Sequence, residues 1–318
     1  MRIGFVNNMP DAAFQATERQ FLALLGNEAG GAPLEVERYA LAQVPRSAAM
    51  RRQLARSYRP VGELVADPPD GLVVTGTEPR AERLRDEPYW PALSDLLAWA
   101  TGTVPAVMCS CLASHAVLEA LHGIERRRLR KKLSGVYGQV VRRGTHPVTD
   151  RLTAGLGEVV LPHSRLNDVP ARAIAGAGYT VVLEGPDCGW SAAVGERDGR
   201  LLLLLQGHPE YSRTTLLREY RRDVRRYLAG SLPAHPALPE GYLDAAGQRL
   251  LEAFRAECER DPSRAVDAFP FDEAASHVAA DWLDASTRLV RNWLGEAASR
   301  RPPAGAVAVS NPRSNAHA

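Results

Sequence analysis

Several features that mark common protein classes are scarce in this sequence. Its 318 residues contain four cysteines, too few for the disulfide framework of a small secreted protein. Only Cys109 and Cys111 are close together, and no second such pair exists to complete a zinc site. We therefore expect no metal, and free thiols at all four positions, Cys188 and Cys258 included.

Long apolar runs and net charge are also lacking. No apolar run approaches the roughly 18 residues that a membrane span requires. The formal net charge is +2, so no excess charge attracts nucleic acid or a membrane surface. The chain enters a strand-like segment at residues 1–6 without the basic and apolar regions of a signal peptide. These absences predict a cytoplasmic protein whose partners are neither nucleic acid nor membrane.

Apolar strands and amphipathic helices alternate through the first part of the chain. Strand-like runs occur at residues 3–6, 71–76 and 104–108, and segments with helical spacing of apolar residues occur at 17–25, 90–99 and 113–121. Such alternation is typical of a parallel sheet covered by helices on both faces. We therefore predict an α/β fold built as a three-layer sandwich.

The pattern changes after residue 134. Strands joined by glycine and proline turns are predicted at 135–141, 158–161, 179–183 and 201–205, and we expect them to add an antiparallel edge. A charged helix is predicted at 214–228, a proline-rich linker at 232–239, and two helices near 244–258 and 274–294. The predicted organisation is a catalytic domain at 1–230, a helical extension packing on it at 231–300, and a disordered tail at 301–318.

The strand at 104–108 runs through two cysteines directly into a helix. A side chain at this junction lies at the carboxyl edge of the sheet, where open α/β folds bind ligands. A thiol there lies at the positive end of the helix dipole, which favours the thiolate. The order strand, tight turn, helix is that of a nucleophile elbow. The position alone does not decide between Cys109 and Cys111, and a buried structural cysteine is the alternative.

A second candidate group follows the most apolar strand, at residues 201–205. The segment Gln206-Gly207-His208-Pro209-Glu210 presents a histidine and then a carboxylate. His208 is suited to accept a proton from a thiol or a hydroxyl, and Glu210 to hold its imidazole in one tautomer. A strand-end histidine beside an unrelated glutamate is the alternative. A cysteine and a histidine at two strand ends together predict an activated thiol.

Many segments between residues 2 and 230 resemble one known family. They are Asn8-Met9-Pro10, Ala16-Thr17-Glu18, 70–76, Tyr89-Trp90-Pro91, 132–137, Pro162-His163-Ser164-Arg165, 207–211 and 219–223. The histidine segment and the upstream cysteine are similar to the class I glutamine amidotransferase-like fold. Within that fold, the sequence resembles the homoserine O-succinyltransferase/acetyltransferase family of methionine biosynthesis.

The resemblance implies catalytic roles for particular residues. Spacing to the downstream family segments puts the nucleophile on Cys111. The general base is then His208, with Glu210 as its partner. The oxyanion hole implied is formed by the backbone N–H of Leu112 and one in the turn at Thr77.

The resemblance also implies substrate-binding positions at Lys132, Ser164 and Arg222. The two cations suit the carboxylate of an amino acid. Family members choose their acyl donor partly at the position of Arg80, where glycine accompanies succinyl transfer and glutamate accompanies acetyl transfer. Arg80 is neither, and because a cation can pair with the succinyl carboxylate, we expect succinyl.

The function implied is transfer of a succinyl, rather than an acetyl, group from acyl-coenzyme A through Cys111 to the hydroxyl of homoserine, in ping-pong order. Acyl-coenzyme A is then a co-substrate, no cofactor is permanently bound, and the protein is a homodimer. Leu283-Asp284-Ala285 replaces the Arg-Ser-His of the family, so serine or another hydroxyl acceptor is an alternative. A glutaminase and a non-enzymatic binding protein are further alternatives. The basic run at 126–132 is either a site for coenzyme A phosphates or a solvated loop.

Overall fold

The computed structural model describes residues 1–26, 28–29, 32–144, 146–261 and 268–301. No helix within these ranges is long and apolar enough to cross a membrane. The strands are β1 (Arg2–Val6), β2 (Glu28–Ala29), β3 (Ala32–Pro33), β4 (Glu35–Tyr39), β5 (Gly71–Val74), β6 (Ala106–Ser110), β7 (Arg127–Val141), β8 (Val159–Asp168), β9 (Thr180–Gly185), β10 (Gly189–Arg197) and β11 (Arg200–Leu205). The helices are α1 (Asp11–Leu25), α2 (Ala48–Ser57), α3 (Val61–Ala66), α4 (Trp90–Thr103), α5 (Leu112–His122), α6 (Pro147–Leu152), α7 (Ala171–Gly176), α8 (Thr215–Leu228), α9 (Ala245–Arg260), α10 (Phe271–Ser276) and α11 (Leu283–Ser299).

One mixed sheet organises the molecule. Among the described residues it has nine strands in the order β4-β1-β5-β6-β11-β10-β9-β7-β8, and β2 pairs separately with β3. Neighbouring strands from β4 to β11 are parallel, whereas those from β11 to β8 are antiparallel. The predicted α/β class with a parallel sheet and an antiparallel edge is confirmed. The parallel strands end at one edge, so the loops that follow β5, β6 and β11 meet there.

Alternate residues of the central strands face opposite layers. On β6, Ala106 and Met108 belong to the apolar cluster that contains residues of α1, α6 and α11. The residues between and after them, Val107 and Cys109, belong to the cluster that contains residues of α3, α4, α5 and α7. This period of two follows from the pleat of a strand, and it explains why strands buried on both faces read as continuous apolar runs.

The C-terminal helices take two different places. Helix α11 lies in the same apolar cluster as β1 and β6, and Trp293 packs so closely on β5 that a Cβ at Gly71 would lie 3.2 Å from its ring. Helices α9 and α10 instead pack with α8 in a third cluster, which includes Leu251 and Phe254. The predicted boundary at residue 230 stays a prediction. Of the predicted disordered tail, only Arg301, which pairs with Asp70 at 2.8 Å, is described; residues 302–318 lie outside the described residues.

The structure differs from the predicted elements in two informative places. The sequence analysis did not predict β4, whose sequence Glu-Val-Glu-Arg-Tyr is mostly charged, as suits a sheet edge. The helix predicted near 274–294 is two helices, α10 and α11. Between them Val278 forms a bridge with Leu243, and the N–H of Ala279 donates to the carbonyl of Tyr242 at 3.1 Å. Pairing with an extended segment therefore interrupts the helix.

Candidate active site

Cys111 occupies the sharp turn between β6 and α5. Its backbone has φ 52° and ψ −113°, a left-handed conformation that costs a non-glycine residue about 1–3 kcal/mol. The turn is held by the N–H of Cys111, which donates to the carbonyl of Leu205 on the neighbouring strand β11 at 2.7 Å. This geometry lifts the thiol out of the strand at the carboxyl edge of the sheet.

Cys109 has a different environment although it is only two residues away. Its side chain is fully buried in β6, and burial raises the pKa of the Cys109 thiol to about 12. A thiol that stays protonated and out of contact with solvent is a poor nucleophile. The geometry therefore favours Cys111 of the two cysteines.

Ser114 stabilises the turn through hydrogen bonds of its side chain. The sequence analysis did not predict this role. Its hydroxyl lies 2.7 Å from the carbonyl of Cys109 and accepts the N–H of Leu205 at 3.0 Å. One buried side chain in the first turn of α5 thus bridges the ends of β6 and β11.

His208 and Glu210 follow β11 and form a buried pair. The Nδ1–H of His208 donates to Glu210 Oε1 at 2.7 Å. The N–H of His208 donates to the carbonyl of Pro162 at 2.8 Å, and its ring stacks on Tyr211 with centroids 4.2 Å apart. The backbone, the carboxylate and the aromatic ring together fix the orientation of the imidazole.

The charges around His208 favour its protonated form. Burial alone would lower the pKa of His208, but the Glu210 carboxylate and then the Cys111 thiolate outweigh it, so the pKa lies well above its usual value. The second ring nitrogen, Nε2, is buried and has no hydrogen-bond partner of good geometry in the described part of the chain. Because β6 and β11 are neighbours with Ser110 opposite Leu205, the structure brings His208 and Cys111 together and leaves Nε2 available to a reacting group.

The two predicted oxyanion elements also lie side by side. The N–H of Leu112 is in the first turn of α5, where backbone donors have no acceptor within the helix. Gly76 packs directly against it, since a Cβ at Gly76 would lie 2.8 Å from the Leu112 Cβ and 3.0 Å from its nitrogen. Thr77 follows and is buried. The turn after β5 therefore closes over the start of α5.

Lys132 reaches the site through an irregularity in β7. Between the pairs Arg128–Asn167 and Leu133–Arg165, four residues of β7 lie opposite one residue of β8. The bulge turns the Lys132 ammonium toward α8, where it lies 2.8 Å from Asp223 Oδ2 and 3.4 Å from Glu219 Oε2. Lys131 and Lys132 are the only two lysines in a sequence with 39 lysine and arginine residues. Lysine at these positions is therefore a further sequence signal of a special role for this segment.

Two acidic residues of α8, which the sequence analysis did not single out, join the predicted binding residues. Glu219 accepts a hydrogen bond from the hydroxyl of Ser164 and one from Tyr211 at 2.7 Å. Asp223 accepts from the Nε of Arg222 at 3.1 Å. Glu219 and Asp223 stand four residues apart, on the side of α8 that carries its buried leucines, and acids on an apolar face were the available signal.

Neighbouring cations keep both acids charged. Burial alone would raise the pKa of Glu219, but Lys132 and Arg222 outweigh it and the pKa is lowered. The pKa of Asp223 is lowered for the same reasons. The cluster formed by Lys132, Ser164, Glu219, Arg222 and Asp223, here called the α8 cluster, thus offers both cationic and anionic groups, as recognition of an amino acid requires.

Part of the basic run at 126–132 is paired within the protein. Besides Lys132, Arg127 pairs with Asp168 at 3.1 Å and Lys131 lies 3.8 Å from Glu240. Arg126 folds against the carbonyls of residues 81 and 82. For the run as a whole, both predicted alternatives, a site for coenzyme A phosphates and a solvated loop, stay predictions.

A cavity of about 490 Å³ lies beside the histidine segment. Residues of α1 and α11 line it together with Glu210 and Tyr211, but Cys111 and His208 do not. The thiol of Cys111 and the imidazole of His208 therefore do not open into this cavity. Among the described residues, no group of three or more His, Cys, Asp or Glu side chains is placed to hold a metal ion.

A model of the family described as homoserine O-succinyltransferase matches residues 1–303. The chain belongs to this family. It is 42% identical over 302 residues to a homoserine O-succinyltransferase of Methylorubrum extorquens, with 94% of this chain and 88% of that protein covered. It is 38% identical over 295 residues to a homoserine O-succinyltransferase of Cardiobacterium hominis, with 93% and 82% covered. The predicted family and its acyltransferase class are confirmed.

Among solved structures, a glutamine amidotransferase from Methylobacillus flagellatus is similar to this homoserine O-succinyltransferase family member. The TM-score is 0.50 at 16% identity, and 95% of this chain and 97% of that chain are covered. A likeness at this identity shows the fold alone, and it agrees with the predicted class I glutamine amidotransferase-like fold.

Two departures from the family pattern can now be located. Arg80 lies on the loop that follows β5, and its side chain is exposed; its backbone N–H donates to the buried carboxylate of Glu87. Leu283 begins α11 and lines the 490 Å³ cavity beside the histidine segment. Neither Cys111 nor any residue of the α8 cluster lines the cavity that Leu283 lines.

Proposed function

We propose that the chain transfers a succinyl group from succinyl-coenzyme A to the hydroxyl of homoserine through a thioester on Cys111. The observation that carries this proposal is the placement of a thiol in a strained turn beside a buried imidazole, close enough that the Cys111 thiolate helps to raise the pKa of His208. Family membership over residues 1–303 supports the substrate pair.

In the first half-reaction, the Cys111 thiolate attacks the thioester carbonyl of the donor. The backbone N–H groups of Leu112 and of the turn at Thr77 are suited to stabilise the resulting oxyanion. As the tetrahedral intermediate collapses, the bond to the coenzyme A sulfur breaks and His208 Nε2 supplies the proton that this sulfur takes up. One thioester replaces another, so the step is close to thermoneutral.

In the second half-reaction, neutral His208 removes the proton from the homoserine hydroxyl while its oxygen attacks the acyl-enzyme. The Cys111 thiolate leaves, and the protonated imidazole is restored for the next cycle. Glu210 holds one tautomer throughout, which keeps Nε2 as the atom that exchanges the proton.

The α8 cluster is proposed to bind homoserine. Lys132 and Arg222 suit its carboxylate, and Glu219 and Asp223 suit its ammonium. Ser164 adds a hydroxyl on the same side. Both acids are already hydrogen-bonded, so the cluster is organised before substrate arrives, which lowers the entropic cost of binding.

The decisive experiment is intact mass spectrometry after mixing the protein with succinyl-coenzyme A without homoserine. We expect one succinyl adduct, mapped by peptide analysis to Cys111, absent from Cys111→Ala and present in Cys109→Ala. Adding homoserine should remove it and release O-succinylhomoserine. No adduct in the wild-type protein, together with ammonia release from glutamine, would favour the glutaminase alternative instead.

Several finer predictions belong to the same proposal. We infer a cytoplasmic enzyme that works as a homodimer, with acyl-coenzyme A as co-substrate and no permanently bound cofactor. A panel of hydroxyl amino acids offered to the acyl-enzyme tests the acceptor, because serine would discharge it as fast as homoserine if the enzyme were a serine acyltransferase.

A further inference from the structure

Arg126 is a half-buried arginine that forms no ion pair among the described residues. Its Nη2 donates only to the carbonyls of Ala81 and Glu82, at 3.5 and 3.3 Å. Its Nε is buried and has no hydrogen-bond partner within the described ranges. A guanidinium removed from water normally requires an anion, so this side chain is incompletely satisfied in the protein alone.

The acids around Arg126 have other partners. Glu119 and Glu125 pair with Arg85 at 3.2 and 2.5 Å. Glu87 accepts the backbone N–H groups of residues 80 and 81. In the described part of the chain, no carboxylate therefore forms a direct hydrogen bond or ion pair with Arg126, and a ligand carboxylate would fill that role.

The position of Arg126 relative to the nucleophile suits such a ligand. The carbonyls that it contacts lie on the loop that begins at Gly76, and Gly76 packs on Leu112, next to Cys111. Burial lowers the pKa of Arg126, and this effect is partly offset by Tyr89, by Glu119 and Glu87, and last by the Cys111 thiolate. The guanidinium therefore contacts the same loop that packs against the start of α5, next to the reacting sulfur.

We propose that Arg126 binds the free carboxylate of the succinyl group during its transfer to and from Cys111. This inference rests on the proposed thioester. Three carbon–carbon bonds separate the two carbonyl carbons of a succinyl group, a reach of roughly 4 Å at about 1.5 Å per bond. A charge-assisted hydrogen bond then adds about 2.8 Å. An acetyl group has nothing to offer the guanidinium, so Arg126 contributes to the choice of donor. Arg80, the residue that the sequence suggested, lies on the same loop with an exposed side chain.

The test compares two donors of equal chain length, succinyl-coenzyme A and butyryl-coenzyme A, of which only the first carries a terminal carboxylate. The rate of acylation of Cys111 is followed by mass spectrometry in single turnover, without homoserine. We expect Arg126→Gln to slow succinylation roughly 10- to 100-fold and to leave butyrylation within about twofold, because only one donor loses a charge-assisted contact. Arg126→Lys should recover part of the succinylation rate. Arg83→Gln, at an exposed arginine that pairs with Asp86, is the matched control and should change the ratio of the two rates little. Arg80→Gln tests the competing position.

The outcomes separate this inference from the proposed function. An unchanged ratio of succinylation to butyrylation in folded Arg126→Gln overturns the role of Arg126, even though wild-type acylation still supports the thioester. Equal slowing with both donors also overturns it, because a purely structural role of Arg126 would affect acylation by a charged and an uncharged donor alike. If Arg126→Gln does not fold, Arg126→Lys decides: an unchanged ratio there, with Arg80→Gln lowering it, assigns the carboxylate to Arg80. Absence of acylation in the wild-type protein contradicts the proposed function itself.

Discussion

The proposed catalytic pair, Cys111 and His208, and the α8 cluster are built in different ways. Cys111 and His208 owe their places to the backbone, one at a left-handed turn after β6 and the other directly after the neighbouring strand β11. The α8 cluster is held by side chains, since Lys132 from a bulge in β7 meets acids on a helix that is distant in sequence.

This difference predicts two different responses to amino-acid substitution. A group placed by the backbone keeps its position when neighbouring side chains change, so its replacement should remove chemistry and little else. A group placed by ion pairs depends on the size and charge of each partner. Substitutions there should alter substrate binding more than turnover.

The largest effect is expected at the nucleophile. Cys111→Ala should lower turnover by about 10³-fold or more, because no other thiol lies at the carboxyl edge to carry the acyl group. Cys109→Ala, two residues away, should keep activity within a few-fold and lose only a modest amount of stability, since it removes one buried atom from β6. Release of coenzyme A measures the first effect and thermal unfolding the second. Comparable losses in both variants would contradict the assignment of Cys111.

The next largest effect is expected at Glu210. Glu210→Gln removes the carboxylate that, after the opposing effect of burial, does most to raise the pKa of His208. We expect turnover to fall about 10²- to 10⁴-fold, as when an orienting acid is replaced in other triads. The fall should appear in kcat. A change confined to the KM for homoserine would instead indicate that Glu210 takes part in substrate binding and does not orient His208.

The same substitution should change the pH dependence of stability. Because the pKa of His208 is raised in the folded protein, its contribution to the free energy of unfolding is complete below the unfolded value of about 6.5 and is lost as pH rises through the folded value. The stability difference between wild type and Glu210→Gln should therefore shrink from pH 6 toward pH 9. Urea denaturation at several pH values measures it, and a difference that grows with pH would contradict the sign.

The sequence predicted the catalytic pair because its signals are local. A strand, a tight turn and a helix around Cys111, and a strand end before His208, are readable within ten residues, and the parallel sheet then brings them to one edge. Family resemblance decided between Cys109 and Cys111, and burial of Cys109 now supplies a physical reason.

The rest of the site depends on long-range packing that local patterns do not encode. Glu219 contacts Lys132 only because α8 packs near a bulge in β7 whose register no sequence period reveals. Likewise, the break between α10 and α11 arises from pairing of Val278 with Leu243, residues 35 positions apart. Helical spacing across 274–294 was a sound local signal that a tertiary contact overrode.

A smaller effect is expected within the α8 cluster. Lys132→Arg keeps the charge but replaces a compact ammonium by a larger planar group in the space between Glu219 and Asp223. We expect the KM for homoserine to rise about tenfold with kcat nearly unchanged. Lys131→Arg, at the exposed neighbour, is the control and should leave both constants unchanged. If kcat fell as much as binding did, the cluster would belong with the catalytic pair.

The smallest effect is expected at Gly76, which packs against Leu112 at the start of α5, next to Cys111. Gly76→Ala places a methyl group 2.8 Å from the Cβ of Leu112, so the turn after β5 must move away from α5, at a cost of about 1–3 kcal/mol. Gly102→Ala in α4 meets nothing within 4 Å and should instead stabilise the helix by about 0.5–1 kcal/mol. Denaturant unfolding measures the two changes in stability, a loss in Gly76→Ala and a gain in Gly102→Ala. Acylation of Cys111 should slow more in Gly76→Ala than homoserine affinity falls, because Gly76 itself packs on Leu112, whereas the loop reaches α8 only through the ion pair of Glu78 with Arg226. Equal weakening of both would show that the two parts are mechanically coupled.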